Sequence, residues 1–276
     1  MKKIVIASLM LMVVQGAALA DPPATQPATQ PSTVRPGWKL VWKDEFDTPG
    51  LPDPKKWVYE EGFVRNNEAQ YYTKARPENC RVENGTLVIE TRKEKFKNAN
   101  YTSASIHTAG LASWTYGRIE IQAKLPQGNG VWPAFWTLGE TGGWPGCGEI
   151  DIMEFVGKTP DKVFGTLHWK HGGHQSEGGN QTVKEPWADF HVYAVEWSAD
   201  KMDFFFDDTK YDSIALSTAD DGANNAFRKP HHIKLNLAVG GSWGGKIDDS
   251  ILPQRFVVKY VRVYEKVAPE KEGSHP

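Results

Sequence analysis

Apolar and polar side chains alternate one for one along run after run of this chain, and helical periodicity is nearly absent. In residues 117–125, Ile119, Ile121, Ala123 and Leu125 share one face of an extended chain, and Arg118, Glu120, Gln122 and Lys124 share the other. Residues 192–197 and 234–239 alternate in the same way, and 259–264 set Val261 and Val263 opposite Tyr260, Arg262 and Tyr264. Residues 202–206 run into Asp207-Asp208, which reads as a hairpin turn, and Asn84-Gly85 leads into a strand over 86–91. Many short strands of this kind must pair into sheets and bury one face each. The expected fold is an all-β sandwich, and no strand–helix alternation supports a parallel α/β fold.

The ends of the chain read differently. Lys2 and Lys3, a short apolar run over 4–14 and Ala18-Leu19-Ala20 have the order of a signal peptide over residues 1–20, cut after Ala20. The run is shorter than the roughly 20 residues that span a bilayer, so no membrane span is expected in the mature protein, which would be secreted or periplasmic. Residues 21–36 repeat Pro-Ala-Thr-Gln and read as an extended linker. Residues 37–266 then form one domain, of a length an all-β unit reaches, and 267–276 form a polar tail. Net charge is −2 and no basic cluster could track a phosphate backbone, so nucleic acid is not an expected partner. A monomer is expected. Cys80 and Cys147 are too few for a disulfide framework; they suit one bridge after export or two buried thiols.

The chemistry concentrates in residues 148–157, Gly-Glu-Ile-Asp-Ile-Met-Glu-Phe-Val-Gly. On a regular strand Glu149 and Asp151 face one way and Ile150 and Ile152 the other, which would drive Glu154 into the core with the isoleucines. One extra residue near Met153, a β-bulge, returns Glu154 to the acidic face. The two glutamates then lie four strand steps apart, roughly 13 Å between Cα atoms, and inward-leaning side chains bring the carboxyls to about 5–6 Å. That suits a retaining glycosidase. Three carboxylates in one row repel, so one should keep a proton. Such a row also suits a solvated acidic face or a calcium site. The surrounding Trp144, Ile150, Ile152, Met153, Phe155 and Val156 favour a buried element lining a cleft. Eleven tryptophans supply flat surfaces for sugar rings as well as core. Trp132, Trp136, Trp144 and Trp243 are candidate subsite walls or rim, and His168 a partner of substrate or of the acids.

Glu-Ile-Asp-Ile-Met-Glu strongly resembles the active-site signature of glycoside hydrolase family 16 in its bulged, laminarinase-like form. Other segments carry the likeness across the chain: Trp42-Lys43-Asp44-Glu45-Phe46, Asn66-Asn67-Glu68-Ala69-Gln70-Tyr71-Tyr72-Thr73, Tyr116-Gly117-Arg118-Ile119-Glu120, and Gly130-Val131-Trp132-Pro133-Ala134-Phe135-Trp136. After the signature come His168-Trp169, Val192-Tyr193-Ala194-Val195-Glu196-Trp197, Leu235-Asn236-Leu237-Ala238-Val239-Gly240-Gly241 and Tyr260-Val261-Arg262-Val263-Tyr264. The resemblance implies a β-jelly roll of two antiparallel sheets with a cleft on the concave face. It implies Glu149 as nucleophile, Glu154 as acid/base and Asp151 as the nucleophile's assistant. By family position, Asn66 and Glu120 would bind sugar hydroxyls. No cofactor is implied. Relatives often hold a calcium on the convex face, but Lys259 stands where they carry an aspartate, which argues against the ion even though Glu45 and the Gly85 carbonyl could contribute. Gln122 stands where they often carry arginine, which would alter the grip on a distal glucose.

The expected activity is endo-hydrolysis of β-1,3-glucan or mixed-linkage β-1,3-1,4-glucan. Agarose- or carrageenan-cleaving enzymes share the scaffold, but no excess of Lys or Arg surrounds the signature, as a sulfated substrate would favour. A non-catalytic β-glucan-binding protein and a transglycosylase are the other readings; the presence of all three acids speaks against the first.

Overall fold

The computed structural model describes residues 32–267. The expected signal peptide, most of the expected linker and the residues after Val267 lie outside the described residues. Seventeen strands are described: β1 (Trp38–Asp44), β2 (Val58–Tyr59), β3 (Gln70–Tyr72), β4 (Cys80–Glu83), β5 (Thr86–Phe96), β6 (Ala99–Ser103), β7 (Ser105–His107), β8 (Gly117–Lys124), β9 (Val131–Gly139), β10 (Glu149–Glu154), β11 (Lys162–His171), β12 (Gly173–Thr182), β13 (His191–Trp197), β14 (Lys201–Phe206), β15 (Thr209–Ala215), β16 (His231–Val239) and β17 (Gln254–Lys266). The one α-helical turn among the described residues, α1, is Gly241–Gly244.

The strands form two sheets, the jelly-roll sandwich that the alternation and the resemblance called for. One has ten strands along the path β15-β14-β13-β8-β17-β5-β6-β3, with β1 on β17 and β4 on β5; the other runs β12-β11-β10-β9-β16-β7-β2. Pairing is antiparallel except between β3 and β6. Apolar faces meet between the sheets: Ile119, Ile121 and Val261 from one, Phe135, Ile150 and Leu235 from the other, all fully buried.

Alternation decides which side chains go inward, and each sheet spends its outer face differently. Outside the ten-stranded sheet, Glu120, Arg262 and Tyr264 are nearly inaccessible. Arg262 meets Glu45 with two hydrogen bonds of 2.9 and 2.8 Å, and Glu120 accepts from Arg118 Nε at 2.8 Å and Arg35 Nη2 at 3.1 Å. Charges this buried persist because each is paired and hydrogen-bonded. The outer face of the seven-stranded sheet instead carries an open cleft of about 720 Å³. Cys80 and Cys147 are both buried free thiols.

Candidate active site

The strand register lays out the cleft in rows across the sheet. Glu149 pairs with Leu138 on β9 and His168 on β11; Asp151 pairs with Trp136 and Thr166; Glu154 pairs with Ala134 and Phe164. From Glu149 to Glu154 is five steps along β10, whereas from Leu138 to Ala134, and from His168 to Phe164, is four. The surplus residue lies at Ile152-Met153, where register shifts against both neighbours. Ile152 and Met153 both point into the core, 1% and 0% exposed, so the bulge hides two consecutive apolar side chains and returns Glu154 to the cleft. Gly148, just before the strand, has φ +80°, and a Cβ there would stand 2.8 Å from the Ala226 Cβ.

Glu149, Asp151 and Glu154 all line the cleft, in unlike surroundings. Burial pushes the Glu149 carboxyl up, and His168, Arg65, the hydrogen-bonding Trp144 indole and Lys234 pull it back. Burial, then Glu149, raises Asp151 well above the usual range. Burial and then Asp151 raise Glu154 well above it, opposed mainly by the hydrogen bond that Trp132 Nε1 donates at 2.8 Å. The cations bear on Glu149, so Glu149 loses its proton most readily and Glu154 holds its own. His168 Nε2 lies 3.1 Å from Asp151 Oδ2 without hydrogen-bond alignment, and His168 Nδ1 lies 2.9 Å from His174 Nε2. Ligating atoms of Glu149, Asp151 and His168 lie within 4.8 Å of one another, close enough to hold a cation.

The four candidate tryptophans all line this cleft, in different ways. Trp132 and Trp136 both face it because residues an even number apart on a strand share a face. Trp132 is edge-on to Trp243 at 5.5 Å, and Trp243 to Phe164 at 5.0 Å, giving an aromatic wall beside Glu154. Gly241, φ +77°, starts the turn that carries Trp243; a Cβ there would meet the Asn66 carbonyl oxygen at 3.0 Å. Trp136 is floor, not wall: it is 6% exposed, donates to Asn236 Oδ1 at 2.7 Å, and has Lys234 and Arg65 over its ring. Trp144 is 54% exposed and packs on His174, with ring centroids 4.7 Å apart. Asn66 sits at the rim and donates to Glu68 at 3.3 Å.

Glu120 is a correction. It belongs to β8 in the other sheet, is 2% exposed, and is enclosed by Arg118, Arg35 and Tyr264. It cannot reach a sugar in this cleft. Gln122 lies on the same outer face of β8, so its difference from an arginine does not touch the cleft. The calcium donors also do not suit an ion: Glu45 gives both oxygens to Arg262, and the Lys259 ammonium lies 4.3 Å from the Phe190 ring centre. Sequence reasoning missed Glu60, Arg65, Lys234 and His174 among the lining residues. Lys234 carried a signal, a lysine flanked by Ile233 and Leu235 on an alternating strand.

The family model for glycosyl hydrolases family 16 matches residues 67–261. A β-glucanase of Rhodothermus marinus is 47% identical over 248 residues, 84% of this chain and 87% of that protein. The crystal structure of the laminarinase from Rhodothermus marinus superposes with a TM-score of 0.78 at 46% identity, covering 84% of this chain and 98% of that one. A non-specific endo-β-1,3(4)-glucanase from the same family superposes with a TM-score of 0.77 at 42% identity, covering 87% and 96%.

Proposed function

The chain belongs to glycosyl hydrolase family 16, and from that premise we propose that this glycoside hydrolase cleaves β-1,3-glucan or mixed-linkage β-1,3-1,4-glucan internally, with retention of configuration. One observation carries the reading: the bulge at Ile152-Met153 turns Glu154 back toward Glu149, in a cleft that treats the two carboxyls differently.

In the first step Glu154 gives its proton to the glycosidic oxygen while the Glu149 carboxylate attacks the anomeric carbon; the aglycone leaves and a glycosyl-enzyme ester forms. Glu154, now ionised, takes a proton from water. The water oxygen attacks the same carbon, the ester breaks, and both carboxyls return to their starting states. Asp151, nearly inaccessible between them, holds a proton more readily than an ordinary aspartate and so can assist Glu149 without adding a second full charge. Trp144, Asn66 and the Trp132–Trp243 wall hold sugar units on either side. His168 orients the acids from β11. Export through residues 1–20 and action as a monomer complete the proposal.

Reducing-sugar release from laminarin, lichenan, agarose and κ-carrageenan tests the substrate. Cleavage of the first two is expected; laminarin bound but not shortened, or cleavage confined to the galactans, would refute it. Glu149→Gln and Glu154→Gln should each lose at least ~100-fold. A near-wild-type rate in either contradicts the assignment.

A further inference from the structure

Two cations share the part of the cleft that lies over β16, and one carboxylate serves both. Lys234 Nζ lies 2.7 Å from Glu60 Oε1, and Arg65 Nη2 donates to Glu60 Oε2. Ser105 Oγ donates to that second oxygen as well, at 2.6 Å. Glu60 is therefore fully used, and its acidity is increased by Arg65 and Lys234 against the opposing effect of burial. Arg65 Nη1 is buried with no hydrogen-bond partner among the described residues. Lys234 is only 5% exposed, and lysine is rarely buried so far unless its charge is matched. Glu60 balances one of the two cations; the second charge is opposed only at a distance, by Glu68 and Glu149, neither of which hydrogen-bonds Arg65 or Lys234 among the described residues.

The Trp136 ring lies beneath both cations, with Lys234 Nζ 4.6 Å and the Arg65 guanidinium 5.1 Å from its centre. Cation–π contact holds the charges in place and takes up the aromatic surface on which a sugar could have stacked. The groups left to meet a ligand are N–H donors, and arginine and lysine have no acceptor to offer in return. A neutral hydroxyl has both a proton and lone pairs to place; an oxyanion has lone pairs only. The Arg65 N–H groups that Glu60 leaves, with an ammonium beside them, suit the oxyanion.

Lys234 pairs with Trp136, which pairs with Asp151, so it sits two strand spacings from β10, about 10 Å. That is beyond the sugar that Glu149 would attack. We propose that Arg65 and Lys234 form a subsite for an oxyanion carried by the glycan itself, a carboxylate or a sulfate ester on the sugar next beyond the one at Glu149. The inference rests on the glucan-hydrolase reading and narrows its substrate to acid-substituted β-glucans.

The test compares kcat/KM of the full chain on neutral laminarin, C6-carboxylated laminarin and sulfated laminarin of matched length. At low salt the wild type should favour at least one anionic form by about tenfold or more, and added NaCl should erode the preference. The carboxylated and sulfated arms identify the oxyanion. Arg65→Gln and Lys234→Gln each leave Glu60 one cation, and melting curves check that they fold. Each also weakens the pull on the Glu149 proton and so slows both kinds of substrate, and the readout is therefore the ratio of kcat/KM on anionic to neutral laminarin within each variant, which should fall most of the way to one. Equal or faster cleavage of neutral laminarin by the wild type overturns the inference, as does an anionic preference that survives both substitutions. If no β-glucan is cut in any form, the function itself is wrong, a separate outcome.

Discussion

Deleting Met153 tests the bulge directly. On the intact strand the surplus residue is at Ile152-Met153, and Glu154 already pairs with Ala134 and Phe164, four steps along each neighbour from the partners of Glu149. Removing one residue from the bulge should convert β10 into a regular strand. Glu149, Asp151 and Glu154 then alternate onto the cleft face without help, and Glu154 keeps its partners. The loss is one fully buried side chain, since Met153 is 0% exposed. Emptying such a site costs about 2–5 kcal/mol. For a domain of this size that is a fall in Tm of about 4–20 °C. Activity on laminarin should drop by no more than about tenfold, roughly 1.4 kcal/mol of barrier. Circular dichroism melting and a reducing-sugar assay on one preparation give both numbers. A folded deletion variant as inactive as Glu154→Gln would refute the reasoning, because the bulge would then do more than correct parity.

Other outcomes follow from the same geometry. Trp144→Ala should lower kcat/KM about tenfold with little change in Tm, since the ring is mostly exposed, whereas Trp136→Ala should cost about 3–5 kcal/mol of stability; melting and kinetics on both variants separate wall from floor. The rate should be bell-shaped in pH with both limbs above the ordinary carboxylate value of 4.5, Glu149 setting the acid limb and Glu154 the alkaline one. Glu154 keeps its proton in the fold after the unfolded chain has lost it, so its contribution is complete below about pH 4.5 and declines as pH rises toward the folded pKa. Glu154→Gln cannot ionise, so its Tm advantage over the wild type should grow from about pH 4 to pH 8; a constant difference would show that the carboxyl is not raised. Removing divalent cations with a chelator should leave Tm unchanged, because Arg262 occupies both oxygens of Glu45; a fall in Tm would reveal an ion elsewhere.

Period-2 alternation was enough to place many strands. The runs expected over 117–125, 192–197 and 234–239 are β8, β13 and the second half of β16. Even the bulge could be read, because without it a carboxylate would enter an apolar core. For Glu120 and Gln122, whose expected sugar contacts came from family position, alternation was too little to test the expectation. It shows that they share a face, but not that this face belongs to the sheet opposite the cleft. Arg65 precedes a turn, Lys234 lies on β16 and His174 on β12, and no spacing along the chain links them to residue 149.

Side-chain direction along a strand is a property of the local backbone, so the order of residues determined the strands, the buried faces, the kink in β10 and the acids it exposes. Which strand lies beside which depends on pairings between residues far apart in the chain, such as Lys234 with Trp136. Only the folded sheets could therefore decide which polar faces border the cleft, which tryptophan forms its floor, and that two cations stand together beyond Glu149.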